Sequence, residues 1–358
     1  MKDQDSRHWY YVNGVGTYDT IFAKKNLQQS KFSIGKKLED FKFERGYAKD
    51  IDYWLKERLL RLRKKYRYIR LFFSGGKDSL IILQQAIKHN IFIDEIVYIL
   101  DEIDFDFKLF PQYEGNIEVK FMAEDYLKII APQIPKTKIT KLTYSEKHYY
   151  AKYSDPNWIR KDCLYDYLIH RPELSFWENI NPKFKLLEDI EDRCDLIGGA
   201  IPHYWYNAEI EKWQFCYANT QMFNSMYDTG EDFFASDDCP ELLNAFVEEM
   251  TINLEKQSIY PGKFSLGDAR QRRSHSSIFD FNIINIEKEI PKKEYNEILK
   301  ATEHPSWYFQ DYKGFFLLIN RLNPLKSSVN AYLNDTDWSL VIESGKIPGL
   351  VTKTFTVY

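Results

Sequence analysis

Ser74-Gly75-Gly76-Lys77-Asp78-Ser79 joins two largely apolar runs, Tyr68 to Phe73 before it and Leu80 to Ile87 after it. An apolar run, a pair of glycines and then a second apolar run predict a strand at about 67–73, a tight turn, and a helix at about 78–90. Two adjacent glycines let the backbone take positive φ and come close to a ligand. Consecutive N–H groups then converge on one anion at the start of a helix. The stretch reads as a phosphate cradle, the alternative being an ordinary strand-to-helix turn with incidental glycines. It is not a Walker A loop, which needs Gly-x-x-x-x-Gly-Lys-Ser/Thr.

Outward from the turn, Glu95-Ile96-Val97-Tyr98-Ile99-Leu100 predicts a second strand ending at Asp101, with the acidic stretch Asp101 to Asp104 as a loop at the sheet's carboxyl edge. Ligands of open α/β sheets bind at that edge. A helix at about 117–132 and a strand at 138–143 complete two β-α-β crossovers, so the fold class is α/β with a doubly wound, mostly parallel, Rossmann-like sheet. Upstream, the spacing of Ile51, Trp54, Leu55, Leu59 and Leu62 places one apolar face on a helix at about 50–65. Downstream, Cys194 to Gly199 is a further strand candidate. His203–Tyr206 and Lys212–Tyr217 then read as an antiparallel hairpin, and a helix from Pro240 to about Lys256 follows. Weaker helical patterns near 292–302 and 325–333 make the C-terminal region mixed α+β. The expected division is 1–66 as an aromatic segment and basic helix, 67–220 as the nucleotide-binding domain, and 221–358 as a substrate or accessory region.

The 358 residues are enough for about two domains, and a net charge of −4 gives no global electrostatic case for nucleic acid. No run of 18 apolar residues occurs, and Met1-Lys2-Asp3-Gln4-Asp5 has no signal-peptide core, so a soluble cytoplasmic protein with no membrane partner is expected. Cys163, Cys194, Cys216 and Cys239 form no Cys-x-x-Cys pair, which argues against structural zinc or an iron–sulfur cluster and for reduced, buried thiols. The seven histidines show no metal-ligand spacing.

The loop resembles the PP-loop, Ser-Gly-Gly-x-Asp-Ser after the first strand, of the ATP pyrophosphatase superfamily, also called the adenine nucleotide alpha hydrolase-like group. The resemblance implies a HUP-type sheet and ATP with Mg2+. It also implies cleavage between the α and β phosphates, transfer of AMP to an acceptor oxygen, and release of pyrophosphate. On that reading, the amides of Gly75 and Gly76 and the hydroxyls of Ser74 and Ser79 hold the β and γ phosphates, with Lys77 adding a point charge. Asp78 holds magnesium or, alternatively, serves only the helix dipole. Asp101 accepts from ribose or adenine, or is a surface carboxylate, and the backbone of Phe73 or Leu100 reads the adenine edge. Over its whole length the chain also resembles PP-loop proteins of large tailed bacteriophages, through Trp9-Tyr10-Tyr11-Val12-Asn13-Gly14, Asp94-Glu95-Ile96 and Glu231-Asp232-Phe233-Phe234. If the chain is phage-encoded, its setting is the host cytoplasm.

Two cationic groups remain. Ser265 to His275 contains Arg270, Arg272 and Arg273, whose guanidinium groups can stabilise charge on the α-phosphate or the leaving pyrophosphate. The alternative is a solvated basic loop. Lys56, Arg58, Arg61, Arg63, Lys64 and Lys65 form a basic helix face, either solvated or tracking a polynucleotide with Tyr66 and Tyr68 stacking bases. Against better-known branches, Lys2 stands where an asparagine synthetase has its glutaminase cysteine. The cysteine pairs of tRNA thiolases and the C-terminal cysteine of phosphosulfate reductases are also missing. The sequence therefore favours adenylation of an acceptor, with a nucleobase, nucleotide or nucleic acid as candidates. A non-catalytic nucleotide- or nucleic-acid-binding protein and a phosphosulfate reductase-like enzyme are the alternatives.

Overall fold

In the computed structural model, residues 10–17, 30–32, 36–46, 50–101, 123–144, 187–188, 190–198, 202–216, 230–258, 260 and 354–358 are described. Three short strands come first, β1 (Tyr10–Val12), β2 (Val15–Thr17) and β3 (Ser30–Phe32), in an antiparallel sheet ordered β2-β1-β3. Asn13 and Gly14 join β1 to β2 at positive φ, as a two-residue hairpin turn requires. A short helix, α1 (Lys36–Asp40), follows.

Helix α2 (Ile51–Lys65) starts where Asp50 accepts a hydrogen bond from the Tyr53 N–H at 2.8 Å, satisfying one of the unpaired donors of the first turn. Its buried stripe is Trp54, Leu55, Leu59 and Leu62, as the spacing predicts, with Arg58 added. The mostly apolar run before the glycines becomes β4 (Tyr68–Phe72), and the residues after them become α3 (Lys77–Lys88). Next come β5 (Glu95–Asp101), α4 (Asp125–Ile130) with a 3-10 turn at Ala131–Gln133, and β6 (Lys138–Tyr144). The predicted helix at 117–132 is therefore described only from Ala123 onward, and Pro132 marks its end. Strand β7 (Arg193–Ile197) is followed by the antiparallel hairpin β8 (His203–Asn207) and β9 (Lys212–Cys216), then β10 (Gly230–Asp232). Helix α5 (Pro240–Lys256) has the predicted bounds, and β11 (Phe355–Thr356) pairs with β9.

The central sheet has five parallel strands in the order β10-β7-β4-β5-β6. After β4 the chain adds β5 and β6 on one side, then returns to add β7 and β10 on the other. The order thus reverses at β4. The sequence reading places residues 230–232 in the C-terminal region, but they complete this sheet. Helix α2 packs against α3 and α5. The weaker helices at 292–302 and 325–333 lie outside the described residues. Among the described residues, no helix is long and apolar enough to cross a membrane.

A row of charges runs across the sheet within this otherwise apolar core. Arg70 on β4 is in register with Glu95 on β5 and with Asp195 on β7, and Glu95 is in register with Lys138 on β6. The Arg70 guanidinium bonds Glu95 at 2.7 Å and Asp195 at 3.4 Å, although Arg70, Glu95 and Asp195 are 1%, 0% and 2% exposed. Arg193 adds a 2.9 Å bond to Asp195, and Thr140, Tyr68 and Lys138 complete the surroundings of Glu95. Burial pushes the Glu95 carboxyl up, but the bonds from Thr140 and Arg70 outweigh it and hold the group below its ordinary range. In the observed register the signs alternate from Asp195 on β7 through Arg70 and Glu95 to Lys138 on β6, so each buried charge faces its opposite.

Candidate functional site

Strand β4 ends at Phe72, and the Phe73 N–H donates to Val97 O at 2.8 Å. The chain then leaves the sheet at its carboxyl edge and turns within three residues into α3. Gly75 lies at φ +83°, a conformation that only glycine takes without strain. Gly76 sits at φ −66° as the helix N-cap, so of the two glycines one supplies the turn and the other opens the helix. With glycine at that position, no side chain caps the first turn of α3.

Two serines brace the turn. Ser74 is exposed, and its Oγ accepts from the Gly76 N–H at 3.2 Å. Ser79 is buried; its hydroxyl donates to Gly76 O at 3.0 Å, and its oxygen lies 3.4 Å from Ser74 Oγ. The sequence reading gives both hydroxyls to a ligand. The geometry divides them, because the Ser79 proton is spent on closing the turn, whereas Ser74 stands at the surface.

A cleft of about 160 Å3 opens beside this turn, lined by Phe72, Phe73, Ser74, Gly76, Asp78, Ser79, Val97, Ile197 and Gly198. It lies where the strand order reverses, between the carboxyl ends of β4 and β7, the position at which open α/β sheets bind ligands. Its apolar floor is one register row, Ile197, Phe72 and Val97. Its rim carries the loop, with Asp78 as the carboxylate among the described lining residues. The volume suits phosphate groups and is below the roughly 300 Å3 of pockets that enclose a drug-sized ligand. Such a site can hold an anion by backbone amides and one hydroxyl, and a cation by Asp78.

Phe72, Val97, Ile197 and, just past β7, Gly198 are members of this site that the sequence reading does not single out. A Cβ at Gly198 would lie 2.8 Å from Asp78 Cβ and 2.9 Å from Ser79 N. The sequence shows two glycines, Gly198 and Gly199, after an apolar strand, which is the available signal; the expected strand over 194–199 in fact ends at Ile197.

Of the remaining candidates, the backbones of Lys77, Leu100 and Asp101 are placed and their side chains are outside the described atoms. Lys77 is the first residue of α3. Leu100 belongs to β5 as expected, Asp101 is the last residue of that strand instead of beginning a loop, and both extend beyond its last pairing with β4 at Val97. Because the Phe73 N–H is bound to Val97, that amide is taken and cannot read an adenine edge. Arg270, Arg272 and Arg273 lie outside the described residues, as do Cys163 and the stretch from Glu102 to Asp104. Among the described residues, no group of three or more His, Cys, Asp or Glu side chains is arranged to hold a metal.

The basic face of α2 is partly engaged in ion pairs. Arg58 is fully buried and donates to Glu231 at 3.0 Å and to Asp232 O at 3.0 Å. Lys65 bridges Glu231 and Asp238 at 2.6 Å each, Arg61 reaches Asp238 O and Glu241, and Arg63 pairs with Asp94. Tyr66 is buried with its hydroxyl on Glu231, and Tyr68 donates to Glu95. The expectation of a solvated face therefore holds for Lys56, Lys64 and Lys65, which are exposed, and fails for Arg58, which is buried, while Arg61 and Arg63 are half-buried.

Asp232 terminates β10 next to Ile197 of the cleft floor. Its Oδ1 accepts from the N–H groups of Phe234 at 2.9 Å and Ala235 at 2.7 Å, while Oδ2 is buried and has no hydrogen-bond partner among the described residues. Burial pushes its carboxyl from 3.8 up to about 7, against the opposing pull of those amides and of Arg58. A carboxyl raised in the folded state is favoured when protonated, so its contribution to stability is full below its unfolded value and is lost as pH rises through about 7. Asp232→Asn is therefore expected to gain stability relative to the parent chain between about pH 4 and about pH 8. Urea unfolding at the two ends of that range measures it, and a pH-independent difference contradicts it.

Cys194, Cys216 and Cys239 are buried. Burial pushes the Cys216 thiol up to about 12 and the Cys239 thiol up to about 11, and raises Cys194 as well, so none of the three is a ready thiolate. No protein-family model, curated protein or solved structure matches the chain.

Proposed function

We propose that this chain is an ATP pyrophosphatase of the PP-loop type with a doubly wound, Rossmann-like sheet. On this reading it binds ATP with magnesium in the cytoplasm and cleaves it between the α and β phosphates to adenylate an acceptor oxygen. One observation carries the reading: the Ser-Gly-Gly-Lys-Asp-Ser turn lies at the carboxyl edge of a parallel sheet, at the strand where the order reverses, with a cleft against it.

The turn and the uncapped start of α3 receive the β and γ phosphates, with the Ser74 hydroxyl as the side-chain donor and Lys77 as an added charge. Ser79 holds the turn closed. Asp78 is the carboxylate that would hold magnesium, which takes one or two carboxylates together with phosphate oxygens. When bound, the ion supplies charge neutralisation on the phosphates. The apolar row Ile197, Phe72 and Val97 keeps water from the floor, and the adenosine runs toward Leu100 and Asp101. The acceptor oxygen attacks the α-phosphorus, the α–β bridging bond breaks, and pyrophosphate leaves with its charge opposed by Arg270 and Arg273. The acceptor belongs to a nucleobase, nucleotide or nucleic acid.

Two features set this reading above its rivals. Four of the six cations that a polynucleotide would need on α2, Arg58, Arg61, Arg63 and Lys65, are paired with Glu231, Asp238, Glu241 and Asp94, which leaves Lys56 and Lys64. Three of the four thiols that a sulfonucleotide reductase could use are buried, and burial raises each of them away from the thiolate. Exchange of labelled pyrophosphate into ATP, run with magnesium and mixtures of nucleotides and oligonucleotides, tests the proposal. Acceptor-dependent label in ATP is the expected result, and its absence with every mixture counts against adenylation.

A further inference from the structure

We infer that Gly198 is a positioning residue of the nucleotide site, setting the distance between the end of β7 and the phosphate-binding start of α3. The inference rests on the ATP reading above. Gly198 is unlike Gly75, because its φ is outside the left-handed region, so any residue could adopt its backbone conformation. Space is what excludes a side chain: an added Cβ would meet Asp78 Cβ at 2.8 Å, Asp78 C at 2.9 Å and Ser79 N at 2.9 Å. Two of these three atoms are backbone, so turning a side chain aside does not relieve the contact. Carbon atoms prefer separations of roughly 3.5 Å or more, so one side has to retreat by roughly half an ångström.

The strand is the side that cannot retreat. Ile197 is paired with Phe72 on one side, and its carbonyl accepts from the Phe233 N–H at 3.0 Å on the other. Three residues before Gly198, Asp195 is held by the buried guanidinium groups of Arg70 and Arg193. The bonds that brace the turn before α3, from the Gly76 N–H to Ser74 Oγ and from Ser79 Oγ to Gly76 O, lie within the turn itself and do not tie it to β7. A side chain at 198 therefore displaces Asp78 and the Ser79 amide, the groups that face the phosphates. Sites of this kind tolerate about 0.5 Å of misplacement, and an error near 1 Å is worth roughly 100-fold in rate.

The test compares Gly198→Ala with the parent chain, using pyrophosphate with magnesium as the probe. Titration calorimetry is expected to show affinity weakened roughly tenfold or more. Hydrogen exchange is expected to show pyrophosphate protecting the 75–88 segment in the parent and not in the variant, with equal protection of α2 and α5 in both. Pyrophosphate affinity within twofold of the parent overturns the role of Gly198 and leaves the ATP reading intact. So does a loss of protection that spreads through α2 and α5, since it marks Gly198 as a general packing residue. A parent chain that binds neither pyrophosphate nor ATP overturns the ATP reading, and this inference with it.

Discussion

Asp78→Asn is expected to slow pyrophosphate release from ATP by roughly 100-fold or more, the size of effect seen when one preorganised charge-stabilising group is removed from an active site. The substitution keeps the shape of the side chain and removes its charge. It leaves Gly75 at positive φ and the Ser79 to Gly76 bond in place, so the fold is expected to persist. Ser79→Ala is expected to abolish release by a different route, since it removes the bond that closes the turn. Initial rates of pyrophosphate formation, together with thermal melting of each variant, separate these outcomes from unfolding. Undiminished turnover in Asp78→Asn would remove Asp78 from the site.

Arg70→Met acts on stability. It deletes the cation between Glu95 and Asp195, two carboxylates that are 0% and 2% exposed, and breaking a buried pair from one side costs roughly 3–5 kcal/mol. Arg193 stays with Asp195 and Lys138 with Glu95, which places the expectation at the lower end of that range. In the parent, the Glu95 carboxyl is held low, so its contribution is present above the unfolded carboxyl value and fades as pH falls through the lower folded value. The deficit of the variant is accordingly largest at neutral pH and shrinks on acidification. Urea midpoints across that range measure it, and a deficit under about 1 kcal/mol at neutral pH would show that the buried row contributes little to the stability of the sheet.

The elements nearest the glycines were the most legible. Apolar runs bounded by glycine or charge place β4, α3 and β5 within one or two residues, and Pro240 after Asp237 and Asp238 places the start of α5. Strand β10 was not legible, because three residues of Gly-Glu-Asp have no apolar pattern and pair only through a distant β7. Arg58 could have been foreseen as internal: it falls inside the stripe of Trp54, Leu55, Leu59 and Leu62, yet its partners Glu231 and Asp232 are more than 170 residues away. At the site, residue type revealed the turn, Asp78 and the two serines. It did not reveal that Ser79 spends its proton on Gly76, or that Gly198 leaves no space against Asp78, because both are distances across a fold.

The most direct measurement is product analysis of α-labelled ATP incubated with the purified chain and magnesium, with and without nucleotide and nucleic-acid mixtures. Labelled AMP together with pyrophosphate, rising when the right acceptor is added, is the predicted result. Labelled ADP would mean that the cleft cleaves at the γ-phosphate, and would contradict the proposal that the glycine turn serves adenylation.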